Sequence, residues 1–104
     1  INEVAKMTID CLLNNVPSSL PGITFLSGGQ SDILATAHLN AMNKLDGLLW
    51  KVSFSYGRAL QASALKAWMG KPENIFISQD ALSHRAKMNK LASLGEWDKS
   101  LEDE

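Results

Sequence analysis

The chain has 104 residues, of which 45% are apolar and 20% charged, and its net charge is −1. This composition describes one small globular domain at most, neither disordered nor basic enough for a general nucleic-acid or membrane surface. Apolar runs are a few residues long, against the roughly 20 that span a bilayer, and no basic stretch followed by an apolar one near Ile1 suggests a signal peptide.

Residues 1 to 15 place Ile1, Val4, Ala5, Thr8, Cys11 and Leu12 at three- and four-residue spacing, the period of a helix with one inward stripe. Cys11 is expected on that stripe as a small core residue. As the only cysteine it cannot close an internal disulfide, which fits a reducing, cytoplasmic setting. Pro17, Pro21 and Gly22 then break the helix. Ile23 to Leu26 is a β-branched and aromatic run suited to a buried strand, and it ends at Ser27-Gly28-Gly29. Ser31 and Asp32 are N-cap candidates for a second helix to about Leu45, with Ile33, Leu34, Ala37, Ala41 and Leu45 inward.

The same order repeats. Asp46-Gly47 signals a turn, Leu48 to Ser55 a second strand, and Tyr56-Gly57-Arg58 a loop. Ala59 to Met69 reads as a third helix with Leu60, Ala64, Ala67 and Trp68 inward. Gly70 suits a left-handed helix end, and Pro72 suits the first turn of a fourth helix. That helix shows Ile77, Ala81, His84, Met88 and Leu91 on one face and stops at Gly95. Residues 96–104 hold five acidic residues and one lysine and are expected to form an exposed, mobile tail.

The order α-β-α-β-α-α contains a βαβ unit, with parallel strands and a right-handed crossover. Two parallel strands need cover on both faces and leave both edges unpaired. Residues 1–95 are therefore expected to be one segment of a larger α/β sheet or barrel, and a complete (β/α)8 barrel takes about 250 residues.

The chemistry concentrates at two strand-to-helix junctions. In Leu26-Ser27-Gly28-Gly29-Gln30-Ser31, paired glycines let backbone N–H groups approach an anion, in front of a helix dipole. Phe54-Ser55-Tyr56-Gly57-Arg58 again places a glycine before a helix and adds a guanidinium, which binds phosphate through paired hydrogen bonds. Either loop alone is equally well a turn that uses glycine for its geometry. Both together, one crossover apart, point to a phosphate site.

Other reactive side chains read as structural. Lys51 falls near the start of its strand, away from the end where barrel active sites gather. Lys66 and Lys71 suit a solvated helix surface, and His38 and His84 lack acidic or cysteine partners at ligand spacing. Trp50 and Trp68 suit packing between helices and sheet, while nothing in the sequence assigns Trp97 a role. No metal-ligand set and no Gly-x-Ser-x-Gly elbow appears.

The runs Gly22 to Ser31, Leu39-Asn40-Ala41-Met42-Asn43 and Phe54 to Gln61 closely resemble the last two barrel units of class I fructose-1,6-bisphosphate aldolases. The resemblance extends over about residues 3 to 95. It implies the C-terminal segment of a TIM barrel, with Ser27, Gly28 and Gly29 after the seventh strand binding the phosphate on the substrate's first carbon. Gly57 and Arg58, after the eighth strand, would complete that site, flanked by Tyr56 and Leu26. The family cleaves fructose-1,6-bisphosphate to dihydroxyacetone phosphate and glyceraldehyde 3-phosphate through a lysine Schiff base, with no metal or other cofactor. That lysine lies on the sixth strand and the proton-handling residues on earlier ones. By resemblance, then, this chain holds no catalytic residue and is inactive by itself. A homotetramer is implied for the full enzyme. The competing reading is a non-catalytic phosphate-binding or scaffold piece that needs a partner to complete its sheet.

Overall fold

A computed structural model describes residues 1–103. Helix α1 (Asn2–Asn15) leads to strand β1 (Gly22–Phe25), helix α2 (Asp32–Asn43), strand β2 (Lys51–Phe54) and helix α3 (Arg58–Trp68). A 3-10 turn at Pro72–Asn74 precedes helix α4 (Ile75–Ser93), and a second 3-10 segment spans Lys99–Asp103. The expected α-β-α-β-α-α order is present. The two strands pair in parallel, Gly22 opposite Lys51 through Phe25 opposite Phe54.

Local chemistry explains most boundaries. Ser31 caps α2, its hydroxyl accepting the Leu34 N–H at 3.2 Å, and Asp32 adds a negative charge in the first turn. Strand β2 starts at Lys51, later than the Leu48 expected. Pro21 is the last carbonyl of the partner segment to accept, from Lys51 N–H at 3.3 Å, and a proline returns no donor. Trp50 instead turns inward, its indole N–H donating to the Pro17 carbonyl at 2.8 Å. After α3 both Met69 (φ 53°) and Gly70 (φ 69°) are left-handed, and Pro72 opens the 3-10 turn rather than α4 itself.

Leu39, Val52, Met88 and Ala92 centre the main core, which α1 joins through Ala5 and Ile9. Phe25 and Phe54 pack from the sheet against this core and against a smaller cluster of Ala35, Tyr56 and Ala59. Thr24 and Lys51 are exposed. The radius of gyration is 15.0 Å and the longest dimension 50 Å, against about 13 Å for the radius of a closed domain of this length. The strands thus form an open unit.

Several inward faces differ from those read off the sequence. Cys11 is exposed, a correction to its expected core position. Helix α1 packs mainly on α2, so only a narrow strip through Ala5 and Ile9 is covered. Ile77 and Trp68 are also exposed, and α4 buries Arg85, Met88, Asn89 and Ala92. A polar seam sets that α4 face. Arg85 donates to Thr36 Oγ1 at 3.1 Å and grips Glu102 through Nη1 and Nη2 at 2.9 and 2.7 Å. The Thr36 hydroxyl donates to Asn89 Oδ1 at 2.6 Å.

This seam also reaches the acidic end of the chain, where the expectation of exposure does not hold for every residue. Trp97 is buried, its backbone N–H donating to Asn40 Oδ1 at 3.0 Å and its indole to Glu102 at 2.8 Å. Fork hydrogen bonds from a buried arginine dock Glu102, which composition alone reads as solvated.

Gly95 sits where the chain turns into this segment, with φ +70° and space for no Cβ: one would lie 2.9 Å from the Asn43 carbonyl oxygen. Gly95→Ala is expected to cost about 2–4 kcal/mol, from left-handed strain plus backbone overlap. A denaturant midpoint equal to that of the unsubstituted protein would show that α2 yields here.

Candidate phosphate-binding site

Because Phe25 and Phe54 are register partners, the loops that follow β1 and β2 leave the same end of the sheet. The first ends at Ser31, the N-cap of α2, and the second at Gly57, the N-cap of α3. Both helices therefore present unpaired N–H groups and the positive ends of their dipoles at that end of the sheet. Ser55 N–H donates to the Phe25 carbonyl at 2.8 Å, tying the two loops at their base.

Within the first loop, Ser27 is buried and Gly28 and Gly29 are exposed. The turn closes through Gln30 N–H to the Ser27 carbonyl at 3.1 Å, and Gly28 takes φ +59°. That backbone favours glycine over any residue with a Cβ. Around Gly28, Gly29 and Gly57 a Cβ would meet nothing within 4 Å, so the space in front of these three residues is open. Leu26, exposed at 76%, stands at the rim.

Arg58, the first residue of α3, reaches back across the gap, and its Nη2 donates to the Gly28 carbonyl at 3.2 Å. The guanidinium is thus brought beside the glycine loop while staying exposed. Of the residues named from sequence, Ser27, Gly28, Gly29, Gly57 and Arg58 come together at one end of the sheet.

Tyr56 does something different there. Its ring is buried 5.5 Å from that of Phe54, and its hydroxyl donates to the Ala35 carbonyl at 2.9 Å. Burial pushes the phenol up to about 12. The side chain therefore anchors the second loop to α2, and any contact of Tyr56 with a ligand falls to its backbone.

From the sequence Gln30 has no role of its own and His38 reads as structural, yet the two meet. Gln30 Nε2 donates to the Ser27 carbonyl at 3.0 Å, and His38 Nδ1 lies 2.6 Å from Gln30 Oε1. No spacing rule links a loop glutamine to a histidine two turns into the next helix, so only the folded geometry reveals the pair. Lys51 lies at the opposite end of β2 from the loops. Among the described residues no group of three or more His, Cys, Asp or Glu could hold a metal, and no helix is long and apolar enough to cross a membrane.

Comparison with known proteins covers nearly the whole chain. A family model described as glycolytic, fructose-bisphosphate aldolase class-I, matches residues 1–104. A probable fructose-bisphosphate aldolase class 1 of Xylella fastidiosa is 56% identical over 98 residues, covering 93% of this chain and 29% of that protein. Fructose-bisphosphate aldolase 2 of Caenorhabditis elegans is 59% identical over 95 residues, covering 90% and 26%. Among solved structures, the aldolase of Plasmodium falciparum, crystallised with TRAP and a small-molecule inhibitor, superposes with a TM-score of 0.90. It is 45% identical, with 93% of this chain and 28% of that one covered. The chain spans little more than a quarter of the length of the relatives it matches.

Proposed function

We propose, since the chain belongs to the class I fructose-bisphosphate aldolase family, that it is the phosphate-binding end of a fructose-bisphosphate aldolase. The enzyme would cleave fructose-1,6-bisphosphate reversibly to dihydroxyacetone phosphate and glyceraldehyde 3-phosphate, a step of glycolysis and gluconeogenesis. The observation that carries this reading is the pairing of the two glycine loops at the N-termini of α2 and α3, bridged by Arg58 to Gly28.

In this reading Ser27, Gly28 and Gly29 offer backbone N–H groups to the phosphate on the first carbon, and Gly57 opens the floor beside them. Arg58 supplies the positive charge. Arginine suits this role because its planar fork meets two phosphate oxygens at once. The helix dipoles add to the same field. The Schiff-base lysine belongs to a barrel strand outside these 104 residues, so residues 1–95 bind and orient substrate while the rest of the barrel performs the bond cleavage. The open edges of the β1–β2 pair fit that division, since further strands must cover them.

Two finer points belong to the same proposal. The full enzyme is a homotetramer, as its family resemblance implies. Its compartment is cytoplasmic, which the unpaired Cys11 suits chemically; two relatives from Pisum sativum are named chloroplastic, and a reducing stroma would suit it equally.

Incubation with dihydroxyacetone phosphate and borohydride, followed by intact mass measurement, tests the reading. The expected species is several times heavier than 11.3 kDa and carries a covalent substrate adduct. A species of 11.3 kDa without adduct would favour the non-catalytic scaffold instead.

A further inference from the structure

The loop that carries Ser27, Gly28 and Gly29 is held from beneath by a relay that starts on α2. The Ser27 carbonyl accepts twice from Gln30, from its backbone N–H at 3.1 Å and from Nε2 at 3.0 Å. In a trans peptide the carbonyl and the following N–H point in opposite directions. With the Ser27 carbonyl pinned against Gln30, the Gly28 N–H must therefore point away from Gln30. Gly28 is exposed, and the space about it is open.

Gln30 can do this in only one of its two amide orientations. Rotated by half a turn, its Oε1 would face the Ser27 oxygen, acceptor against acceptor. His38 selects the working orientation, because its Nδ1 lies 2.6 Å from Oε1 and must carry the shared proton. Burial lowers the pKa of His38, which favours the neutral ring, and the contact with Oε1 calls for the tautomer that carries its proton on Nδ1.

We propose that His38, acting through Gln30, is a positioning residue for the phosphate loop, fixing the Ser27–Gly28 peptide so that the Gly28 N–H is already aimed when the sugar phosphate arrives. The inference rests on the phosphate reading given above and adds to it what holds the donor in place. Donors set before binding need no reorganisation when the anion enters, and a loop free to turn must order at the expense of affinity.

The complete enzyme tests this through the KM for fructose-1,6-bisphosphate and the Ki of inorganic phosphate as competitor. His38→Ala is expected to raise both about three- to tenfold, the loss of one orienting hydrogen bond, with kcat within about twofold of the original. His38→Asn, whose Nδ2 can stand where Nδ1 stands, is expected to restore both. Gln30→Met, which keeps length and removes the amide, should raise both as well, and it carries the test if His38→Ala does not fold. An unchanged KM in His38→Ala, a fall confined to kcat, or an asparagine that restores nothing would each overturn the relay. Arg58→Ala in the same assay separates the two ideas. If it leaves KM untouched, the phosphate reading itself fails; if it raises KM while His38→Ala and Gln30→Met do not, only the relay falls.

Discussion

Arg58→Ala in the complete enzyme is expected to raise the KM for fructose-1,6-bisphosphate thirty- to hundredfold, the largest functional effect of any single substitution in this chain. The estimate follows from a charge-assisted pair of hydrogen bonds worth about 2–3 kcal/mol, each 1.4 kcal/mol being tenfold. The two helix N-termini and the glycine N–H groups remain, so binding should weaken rather than vanish. Stability should change little, because the Arg58 side chain is exposed and, among the described residues, makes one hydrogen bond, to the Gly28 carbonyl. Arg58→Lys should recover only part of the loss, since an ammonium is a point charge without the planar fork. Steady-state kinetics beside a thermal unfolding curve decide the matter. A KM unaltered in a folded variant would remove Arg58 from the phosphate site.

The largest effect on stability is expected at Arg85. Its side chain is 5% exposed and lies among Thr36, Asp32 and Glu102, with Nε 3.6 Å from Asp32 Oδ2. Arg85→Ala would leave two largely buried carboxylates without their shared cation. Removing one partner of a buried ion pair costs about 3–5 kcal/mol. A denaturant midpoint within error of the original would show that this seam is solvated enough to manage without its arginine.

Acid should reproduce part of that loss. Burial opposes ionisation of Glu102, but hydrogen bonds from Arg85 and Trp97 and the Arg85 charge outweigh it, leaving its pKa below the usual 4.5. At Asp32 burial is likewise outweighed, by hydrogen bonds from Ser63 and the Ile33 N–H and by Arg85, and the pKa lies below the usual 3.8. Both groups therefore bind fewer protons folded than unfolded. Their contribution is complete above about pH 4.5 and is lost as pH falls through the lowered values. Without Arg85 this part of the acid response should flatten.

The element order and the two glycine loops were legible in the sequence for reasons that are local. Proline and glycine punctuate the chain at Pro17, Pro21, Gly22, Gly47 and Gly70, and the loop glycines precede α2, which Ser31 caps, and α3, which Gly57 opens without a side-chain cap. The paired glycine motifs needed no tertiary knowledge beyond the parallel register that a right-handed crossover implies. The inward faces were another matter. Periodicity finds apolar stripes, yet α4 turns Arg85 and Asn89 inward because Thr36, Asp32 and Glu102 wait there, and Ile77 is left outside. Charge count made residues 96–104 a solvated tail, whereas a single buried arginine is enough to dock Glu102. Cys11 lies outside because α1 has one main neighbour, a fact of the whole fold and not of the helix. Tyr56 was read as part of the rim, but its hydroxyl finds the Ala35 carbonyl inside.

Two of the three tryptophans are buried at separate places and the third is exposed, and this gives the molecule its own optical record of which part has moved. Trp50, tied to Pro17, would report on the approach to β2; Trp97, tied to Glu102, on the docked end; and Trp68, 43% exposed, would scarcely change colour. A red shift in emission on mild acidification, carried by Trp97 alone, would mean that the end of the chain lets go before the sheet does.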